Sequence, residues 1–407
     1  MFHSFPTTLK SYSYNKSELK KVGNEKQVID FLISLVETGE IWFPYKRYFH
    51  LKPCEMFSNL KNLDLQPQYE NYKLISYFPS AGLYLPPRFR GKSVVISTSE
   101  TSYFTTDALS DYFIENVRMK AKRYDQTYSI DQEWKRKEGL EMIFKKALES
   151  EDTTITPQVL RDAIYFTFAE TQVFSVSWAK ALVKIVLGDE TKDKRWLDIS
   201  SGWGDRLLTA MALDMEYLGF DPNKELITGH SEMIDMFGDR SKHRVIYEPF
   251  EKGLITGEYD LVFTSPPYFT VEEYVSNQPG QSIVEYPDFV QWMTKFLFVS
   301  LEKAWRHLKE DGYLILHISD TKNANFTEAT NLFIEEYLPN SSWEGIIGVK
   351  RFSGPARGVW VWKKSAEKKK WNSFRQRSLK KVYPILDAEW KTYSSPVKRN
   401  KIVVPKK

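Results

Sequence analysis

Tyr259-Asp-Leu-Val-Phe-Thr-Ser-Pro-Pro-Tyr-Phe269 divides into a strand and a stiff loop. Residues 259–263 are a short, mostly apolar run ended by a turn signal, the pattern of a buried strand. Two consecutive prolines then stop the ladder, because their φ is fixed and they have no N–H to donate. A hydroxyl (Ser265), a rigid carbonyl (Pro266) and an aromatic face (Tyr268) are thereby presented together beyond the strand's carboxyl end. Two acceptors beside a ring suit a planar group that carries an –NH₂. An ordinary Pro-Pro turn would read the same way from this stretch alone.

Around it, from Arg195 onward, strand and helix patterns alternate, which predicts an α/β domain with a largely parallel sheet. Strands are expected at 195–199, 215–220, 244–247, 259–263, 312–318, 343–349 and 358–363, with helices near 205–213, 223–237, 286–308 and 327–337. The last two strands are joined by Arg351-Phe-Ser-Gly-Pro-Ala-Arg357, too short for a crossover helix, so they should be antiparallel.

Where the first strand meets the first helix stands Asp198-Ile-Ser-Ser-Gly-Trp-Gly204. Glycines at 202 and 204 allow a tight turn and close approach of the backbone to a ligand at a helix N-terminus. Gly219-Phe-Asp221 puts a carboxylate at the end of the second strand, where it can accept both hydrogens of a ribose diol. The position three after Gly204 is Leu207, so the dinucleotide fingerprint is incomplete and a smaller adenosine-containing ligand is favoured over NAD or FAD.

Together these residues resemble class I S-adenosylmethionine-dependent methyltransferases, specifically those that methylate exocyclic amino groups of nucleic-acid bases. Asp198, Ser200, Gly202 and Gly204 fall in that family's glycine-rich motif, and Asp221 matches its ribose-binding acid. Thr264 to Tyr268 match its Thr-Ser-Pro-Pro-Tyr, Glu248 loosely matches an acid near the adenine, and Phe174 opens a helix that packs over the methionine end. The resemblance covers roughly residues 170–365. It implies a Rossmann-like seven-stranded, mostly parallel sheet with an antiparallel last strand, and S-adenosyl-L-methionine as cofactor. It also implies a base flipped against Tyr268, its amino group held by Ser265 and Pro266, with Pro267 stiffening the loop. A serine at the head of the tetrad is commoner in cytosine-N4 enzymes. Adenine N6 in DNA or RNA, a protein glutamine, and an inactive nucleic-acid-binding subunit stay open.

Only about 60 residues separate the glycine motif from the tetrad, leaving no room there for a target-recognition region. Recognition is therefore expected from residues 1–150, an N-terminal α+β accessory region, from the insert at 270–285, or from the tail at 366–407; the methyltransferase domain takes 151–365. Phe269, Tyr274, Gln278 and Gln281 should border the base, and Arg351 and Arg357 are phosphate-contact candidates. His317 reads as a packed strand residue, Asp320 as a turn cap or cleft residue, and Trp343, Trp360 and Trp362 as sheet-packing aromatics.

Residues 363–407 hold 15 Lys/Arg against 3 Asp/Glu, whereas the rest holds 42 against 50, a basic tail on an acidic body. That layout points to a nucleic-acid partner, for which the resemblance implies DNA before RNA, and a second basic stretch, Leu85-Pro-Pro-Arg-Phe-Arg-Gly-Lys92, could track a phosphate backbone. A solvated tail and loop are the plain alternatives. The single cysteine, Cys54, rules out an intrachain disulfide, and six scattered histidines predict no metal site. No apolar run reaches transmembrane length and no signal-peptide layout opens the chain, so a cytoplasmic protein without a membrane partner is expected, a phage or viral origin being compatible with it.

Overall fold

The structure is a computed structural model that describes residues 11–65, 68–70, 93–98, 103–123, 126–270, 272–274, 278–320, 327–351, 357–367, 369 and 377–394. The basic stretch 85–92 lies outside them. Nine strands form one sheet: β1 (Gln68–Glu70), β2 (Ser93–Thr98), β3 (Arg195–Asp198), β4 (Glu216–Phe220), β5 (His243–Ile246), β6 (Tyr259–Thr264), β7 (Leu308–His317), β8 (Ser341–Arg351) and β9 (Arg357–Lys364). Their spatial order is β1-β2-β8-β9-β7-β6-β3-β4-β5.

All seven strands expected from residue 195 onward are present. The last in the chain, β9, runs antiparallel between β7 and β8. Residues 68–70 and 93–98 add two more: β2 pairs parallel with β8, and β1 antiparallel with β2. The sheet is Rossmann-like, and its order reverses at β3. From β3 the chain runs outward through β4 and β5, then returns to the other flank of β3 as β6. Connections leaving β3 and β6 diverge at that point, which opens a crevice at their carboxyl ends.

Helices cover both faces. Trp196, Leu207, Leu261 and Phe263 lie in one apolar cluster that also takes in Leu60, Leu109 and Phe113 from the accessory region. On the other face Val262, Trp292, Phe298 and Phe333 pack with Leu379, Leu386 and Trp390. Part of the basic tail is thus folded: Leu379–Val382 and Pro384–Ser394 are helices docked on the sheet's cover. A third cluster, from Tyr12 to Phe43 and Met119 to Ile164, gives the N-terminal helices a core of their own.

Between residues 130 and 149 the chain forms two helices, Ile130–Lys135 and Lys137–Glu149, broken at Arg136. The break brings Gly139 so close to the Glu133 carbonyl that a Cβ would stand 2.2 Å from that oxygen.

A buried charge network fixes α1 (Asp111–Arg118) to α2 (Pro157–Thr167). Arg118 bonds Asp111 at 2.7 Å and Glu170 at 3.0 Å; Arg161 bonds Glu115 at 2.9 Å and also pairs with Glu170; Lys46 bonds Asp111 at 2.7 Å. Three cations balance three carboxylates, so the network itself carries no net charge. The two arginines hold the Glu170 carboxyl well below its usual range, against the opposing effect of burial. Four residues further on, Phe174 enters the crevice.

Candidate active site

The crevice is a cavity of about 950 Å³. Among its lining residues are Phe174, Ser200, Gly202 and Asp221 from one group of expected positions, and Ser265, Pro266, Pro267, Tyr268, Phe269, Tyr274, Gln281 and Arg357 from the other. Asp198, Gly204, Glu248 and Thr264 are not lining residues, and each has an identifiable place nearby.

Asp198 braces the glycine loop from below. Fully buried, its carboxylate accepts from Arg206 Nε at 2.6 Å, the Tyr217 hydroxyl at 2.8 Å and the Ser200 amide at 3.1 Å. Arg206 also donates to the Ser200 carbonyl. Gly202 and Gly204 have φ of 58° and 85°, in the left-handed region where a Cβ is penalised. At Gly204, which caps α3 (Asp205–Ala212), a Cβ would also meet Met233 Sδ at 2.6 Å; at Gly202 nothing comes nearer than 3.9 Å.

Asp221 accepts from the amides of Gly202 and Asn223, each at 2.9 Å, which points its carboxylate at the loop. Burial pushes its pKa up to about 6, these two bonds opposing the rise. Beyond β5, Glu248 is exposed and a Cβ on Gly253 would touch its carboxylate, whereas Glu251 faces the cavity. Glu251 Oε1 accepts from the Tyr286 hydroxyl at 3.3 Å, and Oε2 is buried with no hydrogen-bond partner. Burial raises the pKa of this carboxyl as well.

Thr264 ends β6 fully buried, its hydroxyl 2.9 Å from Ser200 Oγ. Ser200 Oγ donates its one proton to the Ser265 carbonyl at 3.1 Å, so Thr264 must be the donor in the first contact. The glycine loop and the Pro-Pro loop are thereby tied to each other across the switch point. Phe269 closes the second loop at φ 49°, a conformation that costs a non-glycine residue about 1–2 kcal/mol. Trp292 and Phe289, with ring centroids 5.7 and 5.5 Å away, hold it there.

Over the cavity, Tyr274 meets Trp203 edge to face at 5.6 Å, and Gln278 Nε2 donates to the Pro222 carbonyl at 3.2 Å. Glu272–Glu273 of the insert pair with Lys122–Arg123, anchoring it to the accessory region. Arg351 is the last residue of β8, and its side chain lies outside the described residues. Asp320 Oδ1 accepts from the Thr327 amide at 2.8 Å, which makes it a cap. Trp343, Trp360 and Trp362 are sheet-packing residues on the tail side.

The sequence reading missed several residues here. His317, taken for strand packing, lines the cavity with Nδ1 2.7 Å from the Tyr268 hydroxyl and 3.1 Å from Ser265 Oγ. Its signal lay in register: Leu316 pairs with Thr264 across the parallel β6–β7 ladder, so the following residues, His317 and Ser265, leave the sheet side by side. Glu251, Trp203 and the exposed pair Tyr165 and Phe166 also line the cavity, and no local pattern marks them.

Among the described residues no group of three or more His, Cys, Asp or Glu side chains could hold a metal ion, and no helix is long and apolar enough to cross a membrane.

No protein-family model matches the chain, and no curated protein matches it. Solved structures similar to it include TrmN from Thermus thermophilus, at 17% identity and a TM-score of 0.33 over 47% of this chain and 49% of that one. The chain thus aligns with about half the length of that protein. A methyltransferase from Pyrococcus furiosus aligns at 18% identity and TM-score 0.35 over 48% and 85%, and an rRNA methylase from Streptococcus thermophilus at 10% and 0.33 over 48% and 99%.

Proposed function

We propose that the chain is an S-adenosylmethionine-dependent methyltransferase acting on an exocyclic amino group of a nucleic-acid base, with cytosine N4 in DNA as the first substrate to test. The observation that carries this reading is that Asp221, the glycine loop and the Ser-Pro-Pro-Tyr loop share one cavity and are linked through Ser200. At about 950 Å³ it lies at the upper end of the ordinary ligand-pocket range of roughly 300–1,000 Å³, room for a nucleoside cofactor beside a base.

The residues present fit the cofactor. Asp221 still has lone pairs for a diol, the open side of Gly202 admits a ligand against bare backbone, and the buried Glu251 Oε2 is an acceptor awaiting a donor such as an adenine amino group. Glu251 therefore takes the adenine role expected of Glu248. Phe174, walled by Trp178, Phe263 and His317, supplies an apolar side to the methionine end. When bound, S-adenosylmethionine supplies a methyl group on a sulfonium centre. Ser265 Oγ and the Pro266 carbonyl accept from the target amino group, drawing its lone pair out of conjugation, and Tyr268 stacks on the base. Rate then comes from alignment in a site already shaped for it.

Two features of the rim favour a nucleic-acid substrate. Tyr165 and Phe166 stand 56% and 71% exposed with ring centroids 5.6 Å apart, the kind of aromatic surface on which unpaired bases stack. Arg357 is exposed at the same cavity. Recognition by residues 1–150 and phosphate contact by the tail belong to the same proposal. Nothing observed favours the inactive-subunit or glutamine alternatives.

Equilibrium binding of S-adenosylmethionine, with label transfer to unmethylated DNA, RNA and protein run in parallel, tests the reading. Binding with transfer to a nucleic acid supports it; no cofactor binding, or label on protein alone, overturns it.

A further inference from the structure

We infer that His317 is a positioning residue: its Nδ1 takes the hydroxyl protons of Ser265 and Tyr268, leaving the Ser265 oxygen with only lone pairs to offer a target amino group. This rests on the amino-methyltransferase reading and says what makes its acceptor an acceptor.

The geometry is a shared nitrogen. Nδ1 is 3.1 Å from Ser265 Oγ and 2.7 Å from the Tyr268 hydroxyl. As a bare lone pair it can receive both hydroxyls in one shared, three-centre bond; as an N–H it would serve one oxygen and leave the Ser265 hydroxyl to find an acceptor elsewhere, the Tyr268 hydroxyl having the His317 carbonyl in reach. A serine hydroxyl free to rotate can turn its hydrogen toward the cavity, where it would face the N–H bonds of the amino group, donor against donor. Held by Nδ1, that hydrogen points away. The same contact anchors Tyr268 through its hydroxyl, which also lies 3.3 Å from the His317 carbonyl, and so sets the plane against which a base would stack.

The ring's surroundings keep it neutral. His317 is 6% exposed, and burial, with Arg357 and then Arg206 adding to it, pulls its pKa down to about 3. Phe174 meets it edge to face at 5.2 Å. Nε2 is buried without a hydrogen-bond partner, so the contacts at Nδ1 are the ones that bear on which nitrogen carries the proton. An acceptor aligned before substrate arrives needs no reorganisation during the reaction, which is where such groups contribute most.

Two measurements test this. Long-range ¹H–¹⁵N spectra of the ligand-free full chain, with its six histidines labelled and the His317 signal identified by its loss in His317→Asn, report the tautomer directly. A neutral ring protonated on Nε2 from pH 8 to pH 5 is expected; protonation on Nδ1, or an imidazolium at neutral pH, overturns the inference. The second is a pair of variants compared by kinetics and cofactor binding. His317→Phe fills the space without an acceptor and should lower kcat by about 10²-fold, while cofactor Kd stays within about twofold. His317→Asn, whose carbonyl oxygen can stand near the Nδ1 position, should recover at least about tenfold of that loss. Equal activity of the two variants, with thermal melts showing both folded, contradicts the inference. Absence of base methylation by the unaltered protein would instead overturn the reading beneath it, and the spectra separate the two failures.

Discussion

Ser200 Oγ donates to the carbonyl of Ser265 at 3.1 Å, joining the loop after β3 to the loop after β6. Residues 65 positions apart in sequence thus share one hydrogen bond at the point where the sheet's order reverses. Through it the glycine loop and the Pro-Pro loop are kept in register.

Ser200→Ala removes that bond and leaves Thr264 without its acceptor. Folding stability should fall by about 1–3 kcal/mol, because a buried hydroxyl loses its partner. Activity should fall further, with kcat down about tenfold or more as the two loops lose alignment. Thermal unfolding and steady-state kinetics measure the two effects separately. Loss of stability alone would make the bond merely structural.

Cofactor affinity should depend on pH through Asp221. Its pKa is raised to about 6, and the ribose-diol role proposed for it needs the carboxylate. Affinity should therefore be level above pH 7 and drop as pH falls through 6, approaching tenfold per unit. Asp221→Asn should bind weakly and without that slope. The sign for folding is opposite. Relative to an unfolded carboxyl near 3.8, the raised value favours the folded state below that pH, and the advantage is lost as pH rises through 6. Calorimetric titration across pH 5–8 measures the first effect.

Arg161→Ala should destabilise the protein by about 3–5 kcal/mol in urea unfolding, since Glu115 and Glu170 would stay buried with one cation fewer. A loss under about 1 kcal/mol would mean that water or Lys46 takes over the charge.

Removing residues 395–407 deletes five Lys/Arg without touching the docked helices. Nucleic-acid affinity should fall, and the slope of log K against log salt should shrink by up to about 4.5 units, roughly 0.9 for each phosphate no longer neutralised. Removing residues 377–407 should also lower the melting temperature, because Leu379, Leu386 and Trp390 leave the core. An unchanged salt slope after the shorter deletion would show that the tail end does not touch the phosphates.

The strands from 195 onward were legible because parallel strands buried on both faces read as apolar runs, as Leu261-Val-Phe263 does. The Ser-Pro-Pro-Tyr loop was legible because its chemistry is local: two prolines fix the backbone whatever surrounds them. What stayed hidden depended on interactions between distant residues. Ser93–Thr98 has the composition of a strand, but nothing local told that it would add to β8. Asp111, Glu115 and Arg118 carry charges at helical spacing and look like a solvent face until Arg161 and Glu170 bond Glu115 and Arg118 from 46 and 52 residues away. Glu251 and Glu248 differ only in which way a turn points them. The tail's helices were masked by its charge, their buried surface resting on three apolar residues scattered among lysines.

The most direct test of the account is mass spectrometry of nucleosides from unmethylated DNA and RNA incubated with the protein and S-adenosylmethionine, with Ser265→Ala alongside. One new nucleoside methylated on an exocyclic amino nitrogen, strongly reduced with Ser265→Ala while cofactor binding persists, is the result expected. A methyl group on a ring carbon, ring nitrogen or ribose oxygen, or on no nucleoside at all, would contradict it.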